Sequence, residues 1–73
     1  MNHTEFRDAL ERLGITQVRF AQLGGWDERT VRRWALDEQP VPRSAEVILL
    51  LMLYNPDSAA ELLSAQSLLD DEL

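Results

Sequence analysis

The sequence has no cysteine, so disulfide bonds cannot stabilise it. Its single histidine, His3, has no second histidine, cysteine or spaced acidic group near it to complete a metal site. We therefore expect His3 to be a disordered tail residue, and we expect the protein to need no metal or other cofactor. Without disulfides or zinc, a chain of 73 residues depends on dense helix packing or on a partner subunit, so we expect an oligomer.

Long apolar stretches are also missing. The longest one, at residues 47–54, is far shorter than the roughly 20 residues that a membrane span needs. Residues 1–4 show no charged run followed by an apolar core, which an export signal would have. We expect no membrane association and a cytoplasmic location, and the absence of cysteine fits a reducing compartment.

The parts of an enzyme site are absent as well. The sequence offers no nucleophile paired with a base, no glycine-rich loop that could cradle a phosphate and no set of metal ligands. We therefore expect the protein not to be an enzyme.

Positive charge is scarce, since seven arginines, no lysine and 13 acidic residues give a net charge of −6. Nucleic-acid-binding proteins are usually basic. Five of the acids follow Asn55, namely Asp57, Glu61, Asp70, Asp71 and Glu72. Residues 16–43, by contrast, hold five arginines against four acids, or +1. We interpret the C-terminal acids as a solvated surface; the alternatives are that residues 70–72 dock a basic protein partner or repel wrongly oriented DNA.

Two short amphipathic helices are predicted near the N-terminus. Thr4 can cap the first helix, and Gly14 ends it. Thr16 can cap the second, which Gly24 and Gly25 break. Apolar residues recur at helical spacing in both, at Phe6, Ala9, Leu10 and Leu13 and then at Val18, Phe20, Ala21 and Leu23.

A third helix is predicted from about Glu28 to Trp34, with Asp27 as its cap. Val31 and Trp34 lie on its apolar face, so we expect Trp34, like Trp26, to pack in the core rather than to stack on bases. The polar stretch 37–40 then forms a loop.

A fourth helix is predicted to begin with Pro42 as its first residue and to extend to about Tyr54. Asn55 and Pro56 stop it and open a fifth helix, from about residue 56 to residue 63 or a little beyond. Residues 67–73 are either helical or frayed. The sequence thus predicts an all-α fold, in which residues 1–73 form a single domain, a compact bundle of four or five short helices.

Residues 17–34 contain a more specific pattern. Ala21 is followed four residues later by Gly25. The next residues are the apolar Trp26 and the helix cap Asp27, and Val31 follows at a position expected to be buried. In these places the segment resembles the helix-turn-helix of the Cro and phage-repressor (XRE-like) family, and the resemblance extends over residues 10–41. It implies a lambda repressor-like fold in which the third helix reads DNA.

The residue types fit this geometry. Two helices that meet at roughly 100° leave no room for a large side chain where they cross, and the turn requires a positive φ. The family commonly has a branched apolar residue where this chain has Gly24, and valine where it has Trp26. We expect the tryptophan ring to fill the volume of the missing side chain, because cores accept exchanged shapes at constant volume.

The resemblance also implies roles for exposed residues. The base-reading positions are Glu28, Arg29, Arg32 and Arg33, while Gln17 and Thr30 would touch phosphates or brace the reading residues. Arginine can donate two hydrogen bonds to guanine and a carboxylate can accept one from cytosine, which agrees with these positions. Arg19 and Arg43 flank the third helix in the sequence and are candidates for DNA backbone contacts. The alternative is an inert solvated face on which Glu28 pairs with Arg32.

The eight apolar residues 47–54 leave the fourth helix without a polar face. One stripe can pack on the first three helices, and it comprises Ala45, Ile48, Leu49 and Met52. The other stripe is predicted to be a homodimer interface, and it comprises Val47, Leu50, Leu51 and Tyr54. Residues 42–73 would then be the dimerisation and acidic C-terminal part. The alternative is that the fifth helix covers this second stripe through Leu62 and Leu63.

These patterns predict sequence-specific binding of double-stranded DNA by a small, dimeric transcription regulator, a repressor of its own gene from a bacterium, phage or mobile element. Two reading helices one DNA turn apart, roughly 34–36 Å, would fit a palindromic operator. Such a protein lies at the nucleoid when bound to DNA. The alternative is a helix-turn-helix scaffold that binds protein, as an antitoxin or adaptor does, which the charge of −6 favours.

Overall fold

The computed structural model describes residues 1–65 in full and the helical backbone as far as residue 72. Over this range the elements are five helices, α1 (His3–Leu13), α2 (Gln17–Gly24), α3 (Glu28–Ala35), α4 (Arg43–Tyr54) and α5 (Pro56–Glu72). The predicted all-α fold is confirmed. The docking role predicted for residues 70–72 concerns side chains outside the described residues.

The start of α1 differs from the prediction, because its cap is Asn2 and not Thr4. Asn2 Oδ1 accepts a hydrogen bond from the backbone nitrogen of Glu5 at 2.8 Å, and Glu5 Oε1 accepts one from the Asn2 nitrogen at 3.0 Å. This reciprocal pair satisfies two N–H groups at once. Thr4 lacks a glutamate three residues later, so it cannot form the same pair. Consequently His3 is the first residue of the helix, and the expectation of a disordered tail residue is wrong.

The predicted caps of α2 and α3 are confirmed. Thr16 Oγ1 accepts a hydrogen bond from the Arg19 nitrogen at 3.0 Å, and Asp27 Oδ1 accepts one from the Arg29 nitrogen at 2.8 Å. Both caps satisfy backbone donors that the first turn leaves without a partner.

Of the later boundaries, the start of α4 needs a correction. Pro42 caps α4 instead of being its first residue, because its ψ of 155° is extended while its carbonyl already accepts from the Glu46 nitrogen at 3.1 Å. The proline ring restricts φ but leaves ψ free to take this value. Helix α5 continues from Pro56 to Glu72, so residues 67–72 are helical, which is one of the two alternatives predicted for residues 67–73.

An aromatic cluster joins the first three helices. It consists of Phe6, Phe20, Trp26 and Trp34, whose neighbouring ring centroids lie 5.1–5.9 Å apart. Helix α4 packs against α1 and contributes the buried Ala45, Leu49 and Met52, while Ala59 of α5 is buried beside α4. The core placement predicted for both tryptophans is confirmed, since Trp34 is buried and Trp26 packs against the core partly buried.

Candidate functional site

Helices α2 and α3 are joined by three residues, Gly25, Trp26 and Asp27. Gly25 has a φ of +75°, and the Trp26 nitrogen donates a hydrogen bond to the Ala21 carbonyl at 2.9 Å. Ala21 is buried, so a larger side chain there is expected to overpack the core. This short connection, with a small residue before it and a cap after it, is compatible with a helix-turn-helix.

The Trp26 side chain is central to this connection. Its ring stacks on Phe20 at a centroid distance of 5.2 Å and meets Trp34 edge-on at 5.1 Å. A β-carbon added to Gly24 would overlap the same ring. The expectation that Trp26 fills the place of a side chain at position 24 is therefore confirmed.

Helix α3 is sharply divided into two faces. Val31, Trp34 and Ala35 are buried. All four predicted base-reading residues are exposed on the same helix, namely Glu28, Arg29, Arg32 and Arg33. The buried face holds the helix in place, so that its charged face is open to a partner.

These four charged side chains have no ion-pair partner among residues 1–65. In particular, the Glu28–Arg32 pair that would make the face inert is not formed. By contrast, Arg12 Nε of α1 lies 3.1 Å from Asp8 Oδ2. The three guanidinium groups of α3 are thus available to an external acceptor.

Near the start of α2 lies Arg7, which the sequence pattern did not assign to the candidate site. Arg7 of α1 and Gln17 line one shallow depression, together with Leu10, Glu11, Ile15 and Thr16. Gln17 is predicted to touch phosphate or to brace the reading residues, and Arg7 brings a positive charge to the same depression, where Glu11 contributes a negative one. Arg7 and Gln17 are ten positions apart, so only the packing of α1 on α2 could reveal this neighbour.

The other predicted backbone contacts lie in different surroundings. Arg43 is exposed at the first position of α4, and Thr30 is half-buried on α3. The Arg19 guanidinium donates a hydrogen bond from Nη2 to the Leu63 carbonyl at 2.7 Å, which ties α2 to α5. Contacts of all three residues with DNA stay predictions.

Leu36 is an apolar residue at the end of the charged face. It is the C-cap that follows Ala35, the last residue of α3, and 56% of its surface is exposed. The sequence pattern did not predict a role for Leu36, because Val31 and Trp34 already account for the apolar face of the helix.

The second apolar stripe of α4 is exposed, as predicted. Tyr54 is 82% exposed and Leu51 is 58% exposed, while Val47 and Leu50 are each about two-fifths exposed. The first stripe is inside, with Ala45, Leu49 and Met52 buried and Ile48 half-buried. Among the described residues α5 does not cover the exposed stripe, and Leu62 is itself exposed.

A shallow apolar cleft of about 280 Å³ lies between α4 and α5. Its lining comprises Ile48, Leu51, Met52, Asn55, Ser58, Ala59 and Leu62. It adjoins the exposed stripe at Leu51, so the apolar surface continues from α4 onto α5.

His3 does not belong to a metal centre in the described part of the chain, where no group of three potential ligands occurs. Its Nδ1 lies 3.5 Å from Asp37 Oδ1, so the start of α1 is close to the loop after α3.

No single helix of the described residues is long and apolar enough to cross a membrane. Arg43–Tyr54 and Pro56–Ala65 pass that test only as a pair, which is bent by 117°.

No family model, no curated protein and no solved structure matches this chain.

Proposed function

We propose that the protein is a sequence-specific double-stranded DNA-binding regulator that places α3 in the major groove. The main support for this proposal is the exposed face of α3. On it, Arg29, Arg32 and Arg33 have no carboxylate partner among residues 1–65. Guanidinium groups in this position suit both base edges and phosphates. The short connection of Gly25, Trp26 and Asp27 supports the proposal because its Trp26 ring packs on both Phe20 of α2 and Trp34 of α3.

The phosphate contacts follow from the start of α2. The backbone N–H groups at a helix N-terminus favour an anion, and Gln17 occupies this position. Arg7 borders the same depression and supplies a guanidinium donor, whose charge offsets that of the Glu11 carboxylate there. We propose that Gln17 and Arg7 contact the DNA backbone while α3 contacts base edges, with Thr30 and Arg43 as further backbone contacts.

The regulator acts as a homodimer in this proposal. The exposed stripe of α4 and the adjoining cleft form a continuous apolar surface that a second copy would bury. Two copies related by a two-fold axis present two α3 helices, which suits a palindromic operator. We propose a cytoplasmic repressor of its own gene that catalyses no reaction.

DNA binding is tested by fluorescence anisotropy titration of the full chain against the duplex upstream of its own gene, with scrambled duplex as competitor. If a dimer neutralises about four to six phosphates, log K falls with log salt at a slope of roughly −4 to −5. Specific binding with this salt dependence supports the proposal. Absence of binding at low salt overturns it.

A second candidate function is a protein-interaction module, such as an antitoxin or adaptor. The exposed apolar stripe of α4 and the net charge of −6 favour it. A pure protein adaptor does not bind duplex DNA at low salt, so the same titration separates the two functions.

A further inference from the structure

We infer that α3 reads G·C base pairs, so that each operator half-site has a short G·C-rich run where this helix enters the major groove. This inference rests on the proposed function and specifies its target.

The chemistry of the exposed face is restricted. Its long polar side chains are three arginines and one glutamate, with no asparagine or glutamine on α3. Arginine pairs with guanine through O6 and N7, whereas adenine is read by asparagine or glutamine. The exposed amides nearest in sequence, Gln22 and Gln39, belong to α2 and to the loop after α3. Helix α3 thus carries reading groups for guanine and lacks the side-chain amides that match adenine.

The spacing of the arginines predicts that the guanines they contact lie close together along the DNA. Arg29 and Arg33 are four residues apart, which is about 6 Å along the helix axis. Successive base pairs are separated by about 3.4 Å, so the two side chains span about two steps. Arg32 lies between them along the axis. The guanines are therefore expected within two or three consecutive base pairs rather than scattered over the half-site.

Glu28 favours contact with cytosine, which is the base that pairs with guanine. Its carboxylate is exposed and has no cation within ion-pair distance among residues 1–65, and DNA phosphates repel it. A carboxylate in the major groove is satisfied by the amino group of cytosine. Glu28 thus weakens binding to DNA in general and is compensated only where a cytosine amino group faces it.

The experiment is selection of binding sites from duplexes with a randomised centre, using the full chain. We expect the selected sites to contain a G·C-rich run in each half-site. The variant Arg33→Ala should lose preference at one guanine position, with affinity for the selected site roughly 5- to 150-fold lower.

The variant Glu28→Ala should lose a cytosine preference and bind unselected duplex at least as tightly as the parent. Glu61→Ala is the matched control, since Glu61 is also exposed on a helix and its removal changes the charge equally. The control should select the same sites as the parent chain.

The outcomes separate the inference from the proposed function. Selected sites rich in A·T pairs, bound in a salt-dependent way, overturn the inference and leave a DNA-binding regulator. A Glu28→Ala variant with unchanged preference at every position also overturns it. Lack of any enrichment, together with lack of salt-dependent binding, overturns the proposed function itself.

Discussion

The indole ring of Trp26 occupies the space into which a β-carbon on Gly24 would project. Gly24 is the last residue of α2 and has a helical backbone, so its requirement for glycine is steric. Gly25 differs, since its φ of +75° is the left-handed region that glycine enters at little cost, and a β-carbon there would meet nothing within 4 Å. Two adjacent glycines are thus needed for two different reasons.

Gly24→Ala should lower the free energy of unfolding by about 1–3 kcal/mol, because the added methyl group overpacks the Trp26 ring. This loss would occur although alanine favours a helix interior over glycine by about 1 kcal/mol. Denaturant unfolding of Gly24→Ala alone and in a Trp26→Val background measures the coupling. The substitution should be harmless or stabilising in the background that lacks the indole ring, and an equal loss in both backgrounds would contradict the steric explanation.

Arg29→Ala and Arg33→Ala should each lower the preference for the operator roughly 5- to 150-fold and leave the melting temperature nearly unchanged, since both side chains are exposed. Competition binding with specific and scrambled duplex measures the preference. Arg12→Ala is the matched control, because it removes the same charge from α1, where Arg12 pairs with Asp8. A fall of many degrees in melting temperature would instead place Arg29 or Arg33 in structural ion pairs.

Leu50→Glu should convert the protein to a monomer if the exposed stripe of α4 is the dimer interface, because a buried carboxylate without a partner is strongly unfavourable. Light scattering in the absence of DNA measures the mass. Leu36→Glu serves as the control, since Leu36 is an exposed leucine outside the stripe. An unchanged mass for the Leu50 variant would remove that residue from the interface.

Arg19→Ala should lower the free energy of unfolding by about 1–3 kcal/mol, because it removes a charged donor from the Leu63 carbonyl. Arg43→Ala, at an exposed arginine also predicted to contact phosphate, should weaken DNA binding without this loss of stability. Denaturant unfolding and anisotropy titration of both variants separate the two roles. Unchanged stability with weaker DNA binding for Arg19→Ala would favour a phosphate contact for that residue.

Asp37 is the single non-glycine residue with positive φ in the described chain, at +63°. Glycine has no β-carbon and tolerates this conformation, whereas alanine is strained by roughly 1–2 kcal/mol. Asp37→Gly should therefore be more stable than Asp37→Ala by about that amount, and comparing the two variants cancels the lost contact with His3. Equal melting temperatures would show that the left-handed backbone relaxes on substitution.

The helix boundaries that the sequence predicted well depend on local chemistry. Thr16 and Asp27 cap their helices because each accepts a hydrogen bond from the backbone two or three residues later. The prediction failed at α1, where Asn2 is the cap because it has a glutamate three residues later and Thr4 does not. It also failed at Pro42, since a proline restricts φ and so suits positions on either side of the helix start.

The candidate site was predictable in part. The exposed charges of α3 follow from the spacing of Val31 and Trp34, and the overlap of Trp26 with position 24 followed from volume compensation. Arg7 could not be found in this way, because it adjoins Gln17 only after α1 packs on α2. The Arg19 contact with Leu63 likewise joins residues 44 positions apart.

The sequence alone determined that the chain is helical, which residues cap α2 and α3, and which faces of α3 and α4 are apolar. These properties depend on residues within about one helical turn of one another, and such interactions can be predicted from the spacing of residues in the sequence. Tertiary structure decided that residues 56–65 of α5 leave the second stripe of α4 exposed and that Arg19 reaches α5. Both outcomes depend on how helices cross, which is set by the packing of the whole core and not by any single segment.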